Sequence, residues 1–153
     1  MLFLTIGTQL PFDRLVGMVD KVNSELQLEI EAQVGNSKIS ANNLKTVSLL
    51  PPDEMDNKLD SCEVIISHAG MGTIITAIKR SKPIIIVPRV AALGEHRNDH
   101  QKDTVDSFRG VSGVYVAESY EELKELIIKR RTLEKPKGLN SPSIQRLVDF
   151  IAI

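Results

Sequence analysis

Val64-Ile65-Ile66-Ser67 and Pro83-Ile84-Ile85-Ile86-Val87 are nearly continuous apolar runs, separated by His68-Ala69-Gly70-Met71-Gly72-Thr73 and a helical stretch from Ile74 to Lys79. A strand that is apolar at successive positions must be covered on both faces, which is the condition of a central strand in a parallel sheet. Parallel neighbours need a crossover connection, and the helix between the two runs supplies one. This unit predicts an α/β domain in which the two runs flank a ligand crevice.

The rest of the chain extends the pattern. Leu2 to Ile6 reads as the first strand, and a helix from Asp13 to about Ser24 carries Leu15, Val16, Val19 and Val22 at helical spacing, with Asp13 as N-cap. Leu28 to Val34 alternates strictly, which predicts a strand with one wet face toward a sheet edge. After a polar loop, Gly35 to Asn43, a strand is expected near Leu44 to Leu50. Pro51-Pro52 ends it and opens a helix reaching about Leu59. Val114-Tyr115-Val116 is a further short strand, and Ser119 to Glu122 has the pattern of a capping box opening a helix to about Arg131. Lys135 to Ser141 reads as a linker into a last amphipathic helix, Pro142 to Ile151, with Ile144, Leu147, Val148 and Ile151 on one face. The expected architecture is one domain with an open, mostly parallel sheet of about six strands.

Composition narrows the function. The chain has 153 residues, 42% of them apolar, enough for a single core. Nineteen basic residues against twenty acidic ones give a net charge of −1, which weighs against nucleic acid as a partner. A lone cysteine, Cys62, precedes a buried strand with no activator beside it in sequence, so it reads as core packing, and no zinc-binding cysteine pair exists. The apolar start lacks a basic leader and is broken by Gly7, Gln9, Pro11 and Asp13, and no run approaches the roughly 20 apolar residues of a membrane span.

Three loops are expected at the carboxyl ends of strands, where ligands collect in an open parallel sheet: Gly7 to Asp13, His68 to Thr73 and Pro88 to Gln101. In the middle loop, Gly70 and Gly72 allow a ligand close to the backbone at the positive end of a helix, and Thr73 offers a hydroxyl, which suits a phosphate. The competing reading is an ordinary turn needing glycine for its dihedral angles. Ile75 stands where a third glycine would complete a dinucleotide fingerprint, and no Gly-Lys-Ser/Thr follows, which disfavours a nicotinamide dinucleotide or ATP. Gly94 to Gln101 packs polar groups suited to sugar hydroxyls, against the alternatives of a solvated helix start capped by Asn98 or Asp99 and a metal site using His96 and His100. The first loop is either a phosphate-side contact or a turn that positions the first helix.

With these residues in view, the chain resembles the C-terminal, nucleotide-sugar-binding half of GT-B glycosyltransferases. That group includes MurG, the small catalytic subunit of the eukaryotic dolichol-linked N-acetylglucosaminyltransferase and, nearest in pattern, the PssE-type small subunit of bacterial exopolysaccharide glycosyltransferases. The resemblance runs from Gly7-Thr8 through Leu50-Pro51-Pro52, His68 to Thr73 and Pro83 to Arg89 to Glu95 through Gln101. It implies a Rossmann-like three-layer domain, half of a GT-B fold, and transfer of a hexose from a UDP-sugar to a lipid-linked saccharide acceptor in exopolysaccharide or capsule biosynthesis.

By the same resemblance, His68, Ala69, Gly70, Met71, Gly72 and Thr73 face the diphosphate, and Leu50 and Pro51 lie by the uracil. His100 and Gln101 contact the donor sugar, and Gly7 and Thr8 close over the phosphates. No metal or other cofactor is required. Two departures stand out. Thr76 occupies the position of a ribose-binding glutamate, leaving Glu95 as a substitute, and the chain is too short to hold the acceptor-binding half. A separate membrane-associated, PssD-type partner is therefore implied, carrying the acceptor and the catalytic base and holding this chain at the inner face of the plasma membrane. The last helix either packs on its own sheet or contributes to that contact. The other functions in view are a non-catalytic nucleotide-sugar-binding or regulatory subunit and a UDP-sugar epimerase or hydrolase.

Overall fold

The computed structural model describes residues 1–7, 10–90 and 100–137, with side chains in the last stretch from residue 102. Leu2–Thr5 (β1), Ile30–Gln33 (β2), Lys45–Val47 (β3), Val64–His68 (β4), Ile84–Val87 (β5) and Val114–Val116 (β6) form one sheet in the order β3-β2-β1-β4-β5-β6. All five strand pairs are parallel. Among the described residues, five helices connect or follow the strands: Asp13–Leu26 (α1), Pro52–Ser61 (α2), Met71–Lys79 (α3), His100–Phe108 (α4) and Tyr120–Ile128 (α5), the last followed by a 3₁₀ turn at Arg130–Thr132.

Alternation along the strands builds two cores. Leu2, Leu4, Val64, Ile66, Ile85 and Val87 point to the face covered by α1 and α5, where they meet Leu15, Val16, Val19, Leu123 and Ile127. Phe3, Ile65, Ile84 and Ile86 point to the other face and meet Leu59 of α2, Ile74, Ala77 and Ile78 of α3, and Val105 and Phe108 of α4. The molecule is therefore a three-layer Rossmann-like domain, as expected.

Strand order corrects the expectation about the crevice. The chain grows outward from β1 through β2 to β3, then returns to pair β4 with the free side of β1 and grows the other way. The reversal, and with it the crevice, lies between β1 and β4 rather than between β4 and β5. A second correction concerns β2, whose expected wet face is covered by α2. Glu31 keeps only 12% of its side chain exposed and pairs with Lys58 Nζ at 2.7 Å and Lys45 Nζ at 3.6 Å. The edge strand is β3, with all three residues exposed.

The helix ends differ in detail. Phe12, not Asp13, stands at the N-cap of α1, because Asp13 is drawn into the helix and its Oδ1 accepts from Ser37 Oγ at 2.7 Å and Lys38 N at 3.3 Å. Ser119 caps α5 as expected, its Oγ accepting from Glu122 N at 3.2 Å. Glu122 reaches back to Glu118 N, one residue before the position a capping box uses. Cys62 is buried, its thiol donates to Leu59 O, and burial pushes its pKa up, all consistent with a packing role. The expected last helix and residues 138–141 of the linker fall outside the described residues.

Candidate functional site at the strand-order reversal

Gly7 leaves β1 and His68 closes β4, so both lie at the carboxyl edge where the strand order reverses. A cleft of about 740 Å³ opens there and continues into the groove between α2 and α3. Gly7, His68, Gly70 and Arg89 line the end over the strands. Pro52, Met55, Asp56, Thr76 and Arg80 line the end between the helices, and Thr5 and Gln33 contribute from the sheet.

The two glycines at the strand end are fixed by the His68 ring. Gly7 has φ +81°, and a Cβ there would stand 2.8 Å from His68 Nε2. A Cβ on Gly70 would collide with the same ring at its Cε1. The imidazole thus lies against two stretches of bare backbone and draws the β1 and β4 exits together.

Gly70 is the N-cap of α3 and brings no side chain to cap it, so the first-turn N–H groups carry the positive end of the helix to the cleft wall at Gly72 and Thr73. Gly72 is exposed, and a Cβ there would meet nothing within 4 Å. One turn on, Thr76 donates its hydroxyl to Gly72 O at 2.8 Å, which leaves its oxygen free to accept.

At the helix end, Arg80, the C-cap of α3, bridges to Asp56 Oδ1 at 2.8 Å and to Asp60, both on α2, and so pins the two helices across the groove. Gln33 is 2% exposed, and its Oε1 accepts from Leu50 N at 3.1 Å, which fixes the turn that starts α2.

Of the residues expected at the site, Gly7, His68, Gly70, Gly72, Thr73 and Thr76 converge on this cleft. Ala69 does not line it, because it is buried in the core beneath, and Met71 packs against the same core. Leu50 packs inward as well and Pro51 is exposed at the N-cap of α2, so the wall is made by Pro52 and Met55 instead. Thr8, Glu95, and the side chains of His100 and Gln101 lie outside the description, although the backbone of His100–Gln101 opens α4. So do Asn98, Asp99 and His96 of the alternative readings of that loop. Among the described residues no three His, Cys, Asp or Glu side chains are grouped to hold a metal.

Sequence reasoning passed over Gln33, Asp56, Arg80 and Arg89. For Arg89 there was a signal: a single arginine straight after an apolar strand and a proline, at a strand exit. The others carry none, since their roles come from helix and strand pairings remote in sequence.

Residues 1–145 match the glycosyltransferase family 28 C-terminal domain. The chain belongs to this family. Over 77 residues it is 31% identical to the UDP-N-acetylglucosamine transferase subunit ALG13 of Cryptococcus neoformans, a match spanning 49% of this chain and 36% of that protein. The family 28 domain seen here shares its fold with the solution structure of ALG13, at a TM-score of 0.64 and 21% identity, covering 95% of this chain and 93% of that one. It also superposes on MurG of Acinetobacter baumannii, at a TM-score of 0.61 and 18% identity, covering 98% of this chain and 49% of that one. The chain thus spans about half the length of MurG and about a third of the curated ALG13 relative, and its fold is that of one half of a GT-B glycosyltransferase.

Proposed function

We propose that this domain is the donor-binding subunit of a UDP-sugar-dependent hexosyltransferase. It acts with a separate membrane-associated subunit that binds a lipid-linked saccharide acceptor, in exopolysaccharide or capsule biosynthesis. The observation that carries the reading is the bare N-terminus of α3 at the cleft wall, beside Gly7 and at the reversal of strand order. Such a terminus holds a diphosphate through backbone N–H groups and the helix dipole. As the bond from sugar to diphosphate breaks, negative charge grows on the departing UDP, and these donors stabilise it without a metal or other cofactor.

The groove between α2 and α3 takes the nucleoside. Thr76 accepts from a ribose hydroxyl, and Asp56, held by Arg80, supplies the carboxylate that the position of Thr76 lacks. His100, Gln101, Glu95 and Thr8 complete the donor site, as the family resemblance implies. Asp56 is the carboxylate among the described lining residues, and it is committed to Arg80 at the nucleoside end. The partner, which brings the acceptor, also supplies the base that deprotonates its hydroxyl. No helix among the described residues is long and apolar enough to cross a membrane. The name of the ALG13 relative, a transferase subunit, supports the division of labour.

Calorimetric titration tests the reading. UDP is expected to bind with one site per chain, more tightly than 2′-deoxy-UDP. A folded protein that gives no heat with UDP would overturn it.

A further inference from the structure

We propose that Arg89 is a positioning residue for the donor diphosphate, holding the backbone of Ile6, Leu10 and Pro11 at the β1 exit beside the cleft. The inference rests on the UDP-sugar reading above. Arg89 follows Val87 and Pro88 at the exit of β5, is 3% exposed, and reaches the cleft wall beside Gly7, His68 and Gly70. Its Nη1 donates to Pro11 O at 2.8 Å, and its Nη2 donates to Ile6 O at 2.6 Å and Leu10 O at 2.9 Å. The guanidinium also lies over the ring of Phe12, 4.7 Å from its centroid.

Arg14 on α1 returns the contact. Its Nη2 donates to Pro88 O at 2.9 Å, and its guanidinium sits 5.2 Å from the centroid of the same fully buried Phe12 ring. Each strand exit thus sends an arginine to the other's backbone, with Phe12 against both.

Two consequences bear on an anion in the cleft. The carbonyls of Ile6, Leu10 and Pro11 accept from Arg89, so its positive charge offsets negative ends that would otherwise repel a diphosphate seated against Gly7. The backbone at Ile6, Leu10 and Pro11 is also held before the ligand arrives, which removes an ordering cost from binding. A lysine cannot do the same, because one ammonium on a flexible stem lacks the planar fork that spans three carbonyls.

The test compares UDP with uridine by NMR titration of wild-type protein, Arg89→Lys and Arg89→Met, with thermal melts alongside. The nucleoside alone reports the α2–α3 groove, and the ratio of the two affinities reports the diphosphate end. Both variants are expected to lose about tenfold or more in UDP affinity, the scale of one hydrogen bond to a charged group. Uridine affinity should hold within about twofold.

A ratio that stays at the wild-type value, whether both affinities fall together or neither moves, overturns the positioning role. Should the Arg89 variants not fold, Arg14→Lys loosens the other half of the clasp from outside the cleft wall and is judged by the same ratio. Wild-type protein that binds neither ligand overturns the UDP-sugar reading and the inference with it, whereas binding with an unchanged ratio overturns the role of Arg89 alone.

Discussion

Gly70 and Gly72 sit two residues apart in one turn, yet they are glycine for different reasons. At Gly70 a methyl group would strike the His68 ring, whereas at Gly72 it would stand in open space on the cleft side of the first turn of α3. Gly72→Ala is therefore expected to leave stability unchanged or raise it by up to about 1 kcal/mol, the helix propensity difference between the two residues. It should lower UDP affinity severalfold, because the methyl group keeps the phosphate from the N–H groups. A thermal melt and a UDP titration check the two halves, and unaltered UDP affinity would remove Gly72 from the phosphate contact. The turn was legible in the sequence because glycine and threonine at a strand-to-helix junction carry their meaning locally. Arg89 was marked only by its place at a strand exit, and its partners were hidden, because they are main-chain carbonyls of Ile6, Leu10 and Pro11, a group every residue possesses.

Among the elements, uniform apolar runs announced β4 and β5, and alternation announced β2, but neither pattern states what lies on a strand's polar face or which strand is its neighbour. The acidic residues of β2 read as solvent-facing, whereas Glu31 lies beneath α2 with Lys58 Nζ 2.7 Å from its carboxylate. A buried charge is invisible as such until its partner, here 27 residues away, is placed beside it. The crevice between β1 and β4 was likewise hidden, because the order depends on where β4 docks after the chain returns from β3.

The Glu31 pair makes a testable contribution to stability. The hydrogen bond from Lys58 holds the Glu31 carboxyl below its ordinary pKa against the opposing effect of burial. The unfolded chain therefore takes up a proton first as the pH falls. The pair's contribution is complete above the unfolded value of about 4.3 and disappears as the pH drops through the folded one. Glu31→Gln is expected to cost about 1 kcal/mol at neutral pH, with the gap to wild type closing as the pH falls from about 5 into and below the carboxylate range. Urea unfolding of both proteins across that range checks it, and a gap that persists in acid would show that Glu31 acts through packing instead.

For the molecule as a whole, the cleft opens at the carboxyl edge of the sheet where the strand order reverses, which is where the proposed donor site lies. The superposition on MurG covers 98% of this chain and 49% of that enzyme. On the proposed reading the partner brings the acceptor from across the cleft, so transfer depends on what covers this edge. The chain on its own is expected to bind UDP without transferring sugar. Coexpressed with the product of the neighbouring partner gene, it should transfer sugar from one member of a UDP-sugar panel to a lipid-linked acceptor. In that complex His100→Ala and Gln101→Ala should abolish transfer while leaving the subunits associated. Transfer that survives both substitutions in an intact complex would make this chain a nucleotide-sugar-binding subunit whose partner performs the chemistry. Turnover of a UDP-sugar by the isolated chain with no acceptor present would instead point to an epimerase or hydrolase built on the same half-fold.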